Sequence, residues 1–250
     1  TVDVHGLATL LSATRKHIWI QPHRKETLPY LFELAIARSG GEEQFKKRPC
    51  VSFIADSLTP FKFKAMDVEV ILQACRWGVP VHACSLPTLG GTAPINPVGT
   101  IILAGIEVLT LLLIAQTISP GTPVLGLATS LAMDMQSGLA LKASVEAMRT
   151  NAASAQFIAE AYGIPTHICG MTTDTFISDG QALIEHCLGG LNLVQSGVDI
   201  MGRAGELEAA KIFSPAQLVV DNELAAMIKH LLSPIPVNTQ TMAWEDLLAV

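Results

Sequence analysis

Gly90-Gly91-Thr92-Ala93-Pro94-Ile95-Asn96-Pro97, an apolar run through 98–116, Ser119-Pro120-Gly121-Thr122-Pro123, a second apolar run at 124–128, and then 129–134: how this stretch is read decides the fold. The residues from Pro97 to Ile118 carry one charge, Glu107. A bilayer span needs about 20 apolar residues, so length alone allows one. The punctuation argues otherwise. Asn96 can cap a helix and Pro97 suits its first position. Ser119-Pro120-Gly121 stops it. No Lys or Arg stands between Arg76 and Lys142 to set an orientation across a membrane. The run therefore reads as a buried helix of a soluble fold, flanked by a glycine loop and a strand. Glu107 then lies in apolar surroundings. It is either a carboxyl bonded to its neighbours or one aimed at a cation.

Composition agrees with a large core. Half of the 250 residues are hydrophobic and 15% are charged, against an average near 25%. So low a charged fraction suits a chain much of which is buried, or covered by another copy of itself or by further sequence. A net charge of −6, with Lys46-Lys47-Arg48 as the main basic cluster, argues against a nucleic-acid partner. Five cysteines with no CxxC spacing suit a reducing cytoplasm. The chain is expected to be one barrel domain over 1–250, a fragment of a longer chain, cytoplasmic and without a membrane span.

Working outward, strand and helix alternate. Expected strands cover 49–55, 79–84, 124–128, 165–169 and 191–195, with an earlier one at 17–21. Expected helices cover 25–39, 65–77, 97–118, 144–162, 178–188 and 215–232. Gly78 and Gly163 act as stops, and Ser144, Ser178 and Ser214 as caps. The strands are apolar throughout, as parallel strands buried on both faces are. No Gly-x-Gly-x-x-Gly or Walker loop follows a strand. The fold expected is an α/β TIM (β/α)8-type barrel, incomplete over these residues.

Barrel chemistry sits on the loops after the strands. That selects Asp56, Ser57, Cys84, Gly90, Gly91, Thr92, Ser130, Asp134, Thr172, Thr173, Asp174, Asp179, Gln181, Gln195 and Ser196. Two strand ends repeat, His82-Ala83-Cys84 and His167-Ile168-Cys169. Residues two apart share a face, so these four side chains either meet as a zinc site or pack as core.

Taken in order, Ser39-Gly-Gly-Glu-Glu43 through Arg48-Pro49, Gly90 to Pro94 with Glu107, Pro120 to Pro123, Thr173-Asp174 to Gln181 with Glu185, and Val220-Asp-Asn-Glu223 resemble the trimethylamine methyltransferase (MttB-like) superfamily. Their order and spacing, over nearly the whole chain, carry the resemblance. It implies a TIM barrel that passes a methyl group from a small methylated amine to the Co(I) corrinoid of a separate partner protein. The chain itself would hold no covalently bound cofactor. No pyrrolysine stands among these residues, so the resemblance is to the betaine-type, non-pyrrolysine branch. Asp174, Phe176, Asp179, Gln181, Gln195 and Glu107 are then expected to bind substrate, and Gly90, Gly91, Thr92 and Ser130 to face the corrinoid. Where the family often has His-Ala-Gly-Gly after a strand, this chain has Gln195-Ser-Gly197. Two other functions fit the residues: a zinc enzyme built on the His-x-Cys pairs, and an amine-binding barrel without catalysis.

Overall fold

The structure, a computed structural model, describes residues 2–250. Helix α1 (Val2–Ala13) leads to strand β1 (Ile18–Ile20), then α2 (Leu28–Ser39), α3 (Glu42–Lys47) and β2 (Val51–Leu58). A two-residue strand, β3 (Lys62–Phe63), hairpins onto β2 before α4 (Ala65–Trp77) and β4 (Val81–Ser85). Next come β5 (Thr88–Leu89), α5 (Pro97–Ile118), β6 (Val124–Ala128), β7 (Leu131–Met133) and β8 (Ala140–Leu141). The remainder is α6 (Val145–Tyr162), β9 (Thr166–Cys169), α7 (Gly180–Gln195), β10 (Ile200–Gly202), β11 (Glu206–Leu207), β12 (Ile212–Phe213), α8 (Pro215–Leu231) and α9 (Trp244–Leu248).

Six strands pair in the order β1-β2-β4-β6-β9-β10, every contact between them parallel. The sheet is curled. Laid flat at about 4.8 Å per strand, its outer two strands would stand roughly 24 Å apart. Yet Arg203, which follows β10, holds its guanidinium 5.6 Å from the centre of the Trp19 ring on β1. This is the incomplete TIM-type barrel expected from the alternation of units.

The main core lies between the outer face of the sheet and the helices. Phe53, Val81, Ile71, Leu111 and Ile158 are fully buried there, and Phe32 stacks on Phe53 at 4.4 Å. A smaller cluster of Ile54, Cys84 and Leu127 fills the inner side, with Trp19 and Leu86 against it. Helix α5 is long and apolar enough to cross a membrane by length and composition. Here it is a barrel helix against β4, β6 and α6. Asn96 caps it by accepting from the Val98 N–H, and Ser119 ends it.

One expected strand is a helix. Residues 191–195 form the last turns of α7, not a strand. The pair Gly189-Gly190 reads as a stop in sequence. In the fold it sits mid-helix because α7 meets its neighbours too closely for side chains. A Cβ on Gly189 would lie 2.3 Å from the Gly170 carbonyl oxygen, and one on Gly190 would lie 3.0 Å from Ile228. The strand of this unit is β10, which pairs with β9.

Candidate active site at the strand ends

Alternation on the short parallel strands decides what faces inward. Ile18, Val51, Phe53, Val81, Ala83 and Ile168 belong to the outer core. Their neighbours Trp19, Ser52, Ile54, Asp56, His82, Cys84, His167 and Cys169 turn to the inside.

Nearest the strand starts is a chain of hydrogen bonds. His17 Nε2 meets Ser52 Oγ at 3.0 Å, Ser52 Oγ meets His82 Nε2 at 2.8 Å, and His82 Nδ1 meets His167 Nδ1 at 2.9 Å. His167 Nε2 is buried without a partner, while the Pro49 carbonyl accepts from His17. This network assigns one direction: His167 Nδ1–H donates to His82, His82 Nε2–H to Ser52, and Ser52 to His17. Burial, with His167 beside it, pulls His82 down to about 3. Burial and then Arg203 pull His167 down to about 4. Both rings are neutral near pH 7.

Above this layer, at the strand ends, is the mouth of the barrel. Gln21 donates from Nε2 to Asp56 Oδ2 at 2.5 Å, while Asp56 Oδ1 is buried with no partner. Burial, and next the neighbouring Asp56, push the Cys84 thiol well up, so it stays protonated. Arg203 Nε donates to Cys169 Sγ at 3.3 Å and lies 3.4 Å from Glu206 Oε2. Glu206 Oε1 accepts from Lys142 Nζ (2.9 Å) and Thr172 Oγ1 (2.7 Å). Where β1 approaches β10, an open cleft of about 560 Å³ is lined by Trp19, Arg203, Glu206 and Phe213 among others.

The loop that supplies Arg203 and Glu206 is strained. Arg203, Glu208, Ala209 and Ala210 all have positive φ, from 49° to 82°, a conformation that costs about 1 kcal/mol or more for each non-glycine residue. Its surroundings hold it there. Glu208 N donates to Thr175 O and Ala209 N to Thr173 O, both at 2.8 Å. Gly205 N donates to Asp221 Oδ2 at 2.5 Å. Asp221 Oδ1 is bonded to His186 Nδ1 at 2.7 Å, whose Nε2 reaches the Glu206 carbonyl at 3.0 Å.

The expected site residues fall in several places. Glu107 is completely buried on the helix side of the sheet. It accepts from Ser57 Oγ (2.6 Å), Ser85 Oγ (2.6 Å), Thr59 Oγ1 (2.8 Å) and the Phe61 N–H (2.8 Å). With four donors its geometry is that of an anchor for the β2–β3 hairpin. Asp174 lies over the strand ends, where burial pushes its carboxyl up although the Lys142 and Ala143 N–H groups donate to it. Asp179 caps α7 by accepting from Ala182 N. Gln181 is exposed and donates to Glu185, and Phe176 is 67% exposed. Gln195 is exposed at the far end of α7, away from the strand ends, so the comparison with a strand-end His falls on the wrong element. The strand-end residue of that unit is Arg203. Gly90, Gly91 and Thr92 form the turn after β5. A Cβ on Gly90 would lie 2.2 Å from the Met135 terminal methyl, and one on Gly91 2.7 Å from that of Met133. Ser130 is fully buried between β6 and β7, its N–H bonded to Asn151 and its hydroxyl unpartnered.

The zinc reading meets a correction. His82 and His167 do come together, but they bond to each other and Cys84 stays protonated. Among the described residues no group of three or more His, Cys, Asp or Glu is placed to hold a metal ion. Trp19, Gln21, Arg203, Glu206 and Lys142 were not singled out in the sequence. The signal for the first two was present: His17, Trp19 and Gln21 alternate with Ile18 and Ile20.

Residues 3–250 match the trimethylamine methyltransferase (MTTB) family. Among curated relatives, trimethylamine methyltransferase MttB of Methanosarcina barkeri (strain Fusaro) is 32% identical over 249 residues, 99% of this chain and 50% of that protein. Trimethylamine methyltransferase MttB of Desulfitobacterium hafniense (strain DCB-2) is 32% identical over 247 residues, 99% of this chain and 50% of its own. A glycine betaine methyltransferase of Desulfitobacterium hafniense (strain Y51) is 31% identical over 222 residues, 88% of this chain and 46% of that protein. The chain thus spans about half the length of the relatives it matches.

Proposed function

Because this chain belongs to the trimethylamine methyltransferase family, we propose that it binds a tertiary or quaternary methylated amine at the strand-end mouth and takes part in transferring one of its methyl groups. The acceptor in this reading is a corrinoid carried by a separate cytoplasmic protein, whose Co(I) supplies the nucleophile. One observation carries the proposal: at the end of β2, beside the mouth, Asp56 presents a buried carboxylate oxygen that no N–H or O–H donor reaches, with only the weakly donating Cys84 thiol against the carboxyl. A buried carboxylate oxygen without a donor is costly unless a cation comes to it.

The other residues fit the same ligand. The Trp19 ring, which already attracts the Arg203 guanidinium at 5.6 Å, lines the adjacent cleft. Gln21 fixes the Asp56 carboxyl through its second oxygen. The Arg203–Glu206–Lys142 ion pairs tie the segment after β10 to the one after β8, which rigidifies the mouth around a substrate. A quaternary nitrogen leaves as a neutral amine with the bonding electron pair, so no side chain has to protonate it. The chain's work is to orient the C–N bond and keep water away. A carboxylate facing a charge that disappears in the reaction holds the substrate more strongly than the transition state. Asp56 is therefore a binding residue, and its removal should raise KM without lowering kcat.

The test is methyl transfer by the full-length protein to free cob(I)alamin, followed by loss of the Co(I) absorbance, with trimethylamine, glycine betaine and other quaternary amines as donors. Transfer from at least one is expected. No transfer across the panel would overturn the catalytic reading. Calorimetric binding of one of these amines without transfer would leave an amine-binding barrel.

A further inference from the structure

At the opposite end of the barrel, where the strands begin, lies an open cleft of about 710 Å³. Arg15, Lys16, Arg38, Lys47 and Arg48 line it, together with His17. No Asp or Glu lines it. None of these five cations takes part in an ion pair among the described residues. The chain has 16 Lys and Arg in all and a net charge of −6. Five of its cations thus crowd into one concave site, unpaired, although carboxylates are in excess.

Helix ends account for only part of this. Helices α1, α2 and α3 all finish at the cleft, and basic residues favour such ends. Each helix contributes about half a negative charge there, less for the single-turn-and-a-half α3, so the three offset at most about 1.5 of the five positive charges. Roughly three or more remain unbalanced, repelling one another at close range. Arg38 does use its Nε on the Leu11 carbonyl, which fixes the guanidinium at the rim. Gln44 adds a neutral amide to the lining.

We propose that this cleft is an anion site for a compact polyphosphate or phosphate ester. The volume falls within the range of small-ligand clefts, about 300–1,000 Å³. Two or more adjacent phosphates match the charge surplus, and arginines at the wall suit their oxygens. A single cleft of this size does not track a nucleic-acid backbone, which needs an extended basic groove. The site is independent of the proposed methyl transfer and lies at the other end of the strands. His17 joins the cleft to the inner layer of the barrel, since it lines the cleft and also begins the hydrogen-bond chain to His82 and His167.

Isothermal titration of the full-length protein with tripolyphosphate, with pyrophosphate and with citrate, each at 0.15 M and 0.5 M salt (roughly 8 Å and under 5 Å screening length), tests this. Saturable one-to-one binding of the phosphates at the lower salt is expected, weakened at the higher. The double substitution K47Q/R48Q should weaken it by roughly 25-fold, about fivefold per cation, while K47R/R48K keeps it. Unchanged thermal unfolding of both variants separates lost charge from lost fold. Absence of saturable phosphate binding at 0.15 M salt, or full binding by K47Q/R48Q, would overturn the site. Citrate binding as tightly as tripolyphosphate would overturn its assignment to phosphates.

Discussion

Asp56 and Ser57 are neighbours on β2 and point to opposite faces of one sheet. On the helix face, Ser57 joins Ser85, Thr59 and the Phe61 N–H in donating to Glu107. On the barrel face, Asp56 receives the Gln21 amide and lies against the Cys84 thiol, and no N–H or O–H donor reaches its Oδ1. Both carboxylates are buried. What separates them is satisfaction: a carboxylate with four donors holds the fold together, whereas one with a bare oxygen is set up for something that arrives from outside. Burial and charge alone would have ranked them the other way, since Glu107 is the deeper of the two.

Removing Glu107 is the most severe test of this contrast. Glu107→Ala leaves the Ser85 and Thr59 hydroxyls and the Phe61 N–H without their acceptor behind the sheet, and Ser57 with only the Cys84 carbonyl. A loss of about 3–5 kcal/mol is expected, read as the midpoint shift in urea unfolding, with Glu107→Gln recovering part of it. A loss below about 1 kcal/mol would show that the hairpin does not depend on this carboxylate.

The inner face holds a second kind of polar group, neutral by enforcement. The folded-state values for His82 and His167, about 3 and about 4, lie below their ordinary 6.5. As pH falls, the unfolded chain therefore takes up protons first. Stability is fully present above pH 6.5 and is lost from there down towards the folded values, by about 1.4 kcal/mol per pH unit for each ring. Urea titrations at pH 7, 6 and 5 should show this steepening decline. A flat profile would mean that the pair carries a proton when folded.

Asp56→Asn should leave stability nearly unchanged, because it removes a buried charge whose side-chain partners are one amide and one thiol. Its effect belongs in ligand binding. A carboxylate–ammonium contact at partial burial is worth about 2 kcal/mol, so the dissociation constant for glycine betaine should rise by roughly 30-fold. Loss of stability without loss of binding would place Asp56 with Glu107 as a structural group, and the contrast between the two faces would fail.

The outer architecture was readable because it follows from local rules. Caps such as Asn96 and Ser144, stops such as Gly78 and Gly163, and the uniformly apolar strands all act within a few residues. The inside of the barrel was readable only in part. The His-x-Cys repeats showed that two strands present the same pattern, and His82 and His167 do meet. Whether they meet as metal ligands or as partners depends on distances set by the curl of the sheet. Glu107 could be seen to be buried, but its four donors come from β2, β4 and the loop before β3, 22 to 50 residues away. Arg203 was hidden for a different reason. Gly189-Gly190 carries the local signature of a helix end, while the reason for those glycines is tertiary, the close approach of Gly170 and Ile228.

That misplaced boundary leads to the smallest expected effect. In sequence, Gln195 occupies what reads as a strand end, where a side chain would face substrate. In the fold it closes α7, exposed and far from the mouth, and Arg203 holds the strand-end position beside Trp19 and Cys169. Gln195→His should therefore change stability by less than about 0.5 kcal/mol, as surface substitutions do, and leave amine affinity untouched. Arg203→Gln should loosen the mouth by removing the contacts to Cys169 and Glu206 and uncovering the Trp19 ring. Measured side by side by calorimetry with glycine betaine, a change confined to the Arg203 variant supports β10 as the strand that feeds the site. A change confined to the Gln195 variant would return that role to the end of α7, and with it the reading of Gly189-Gly190 as a stop.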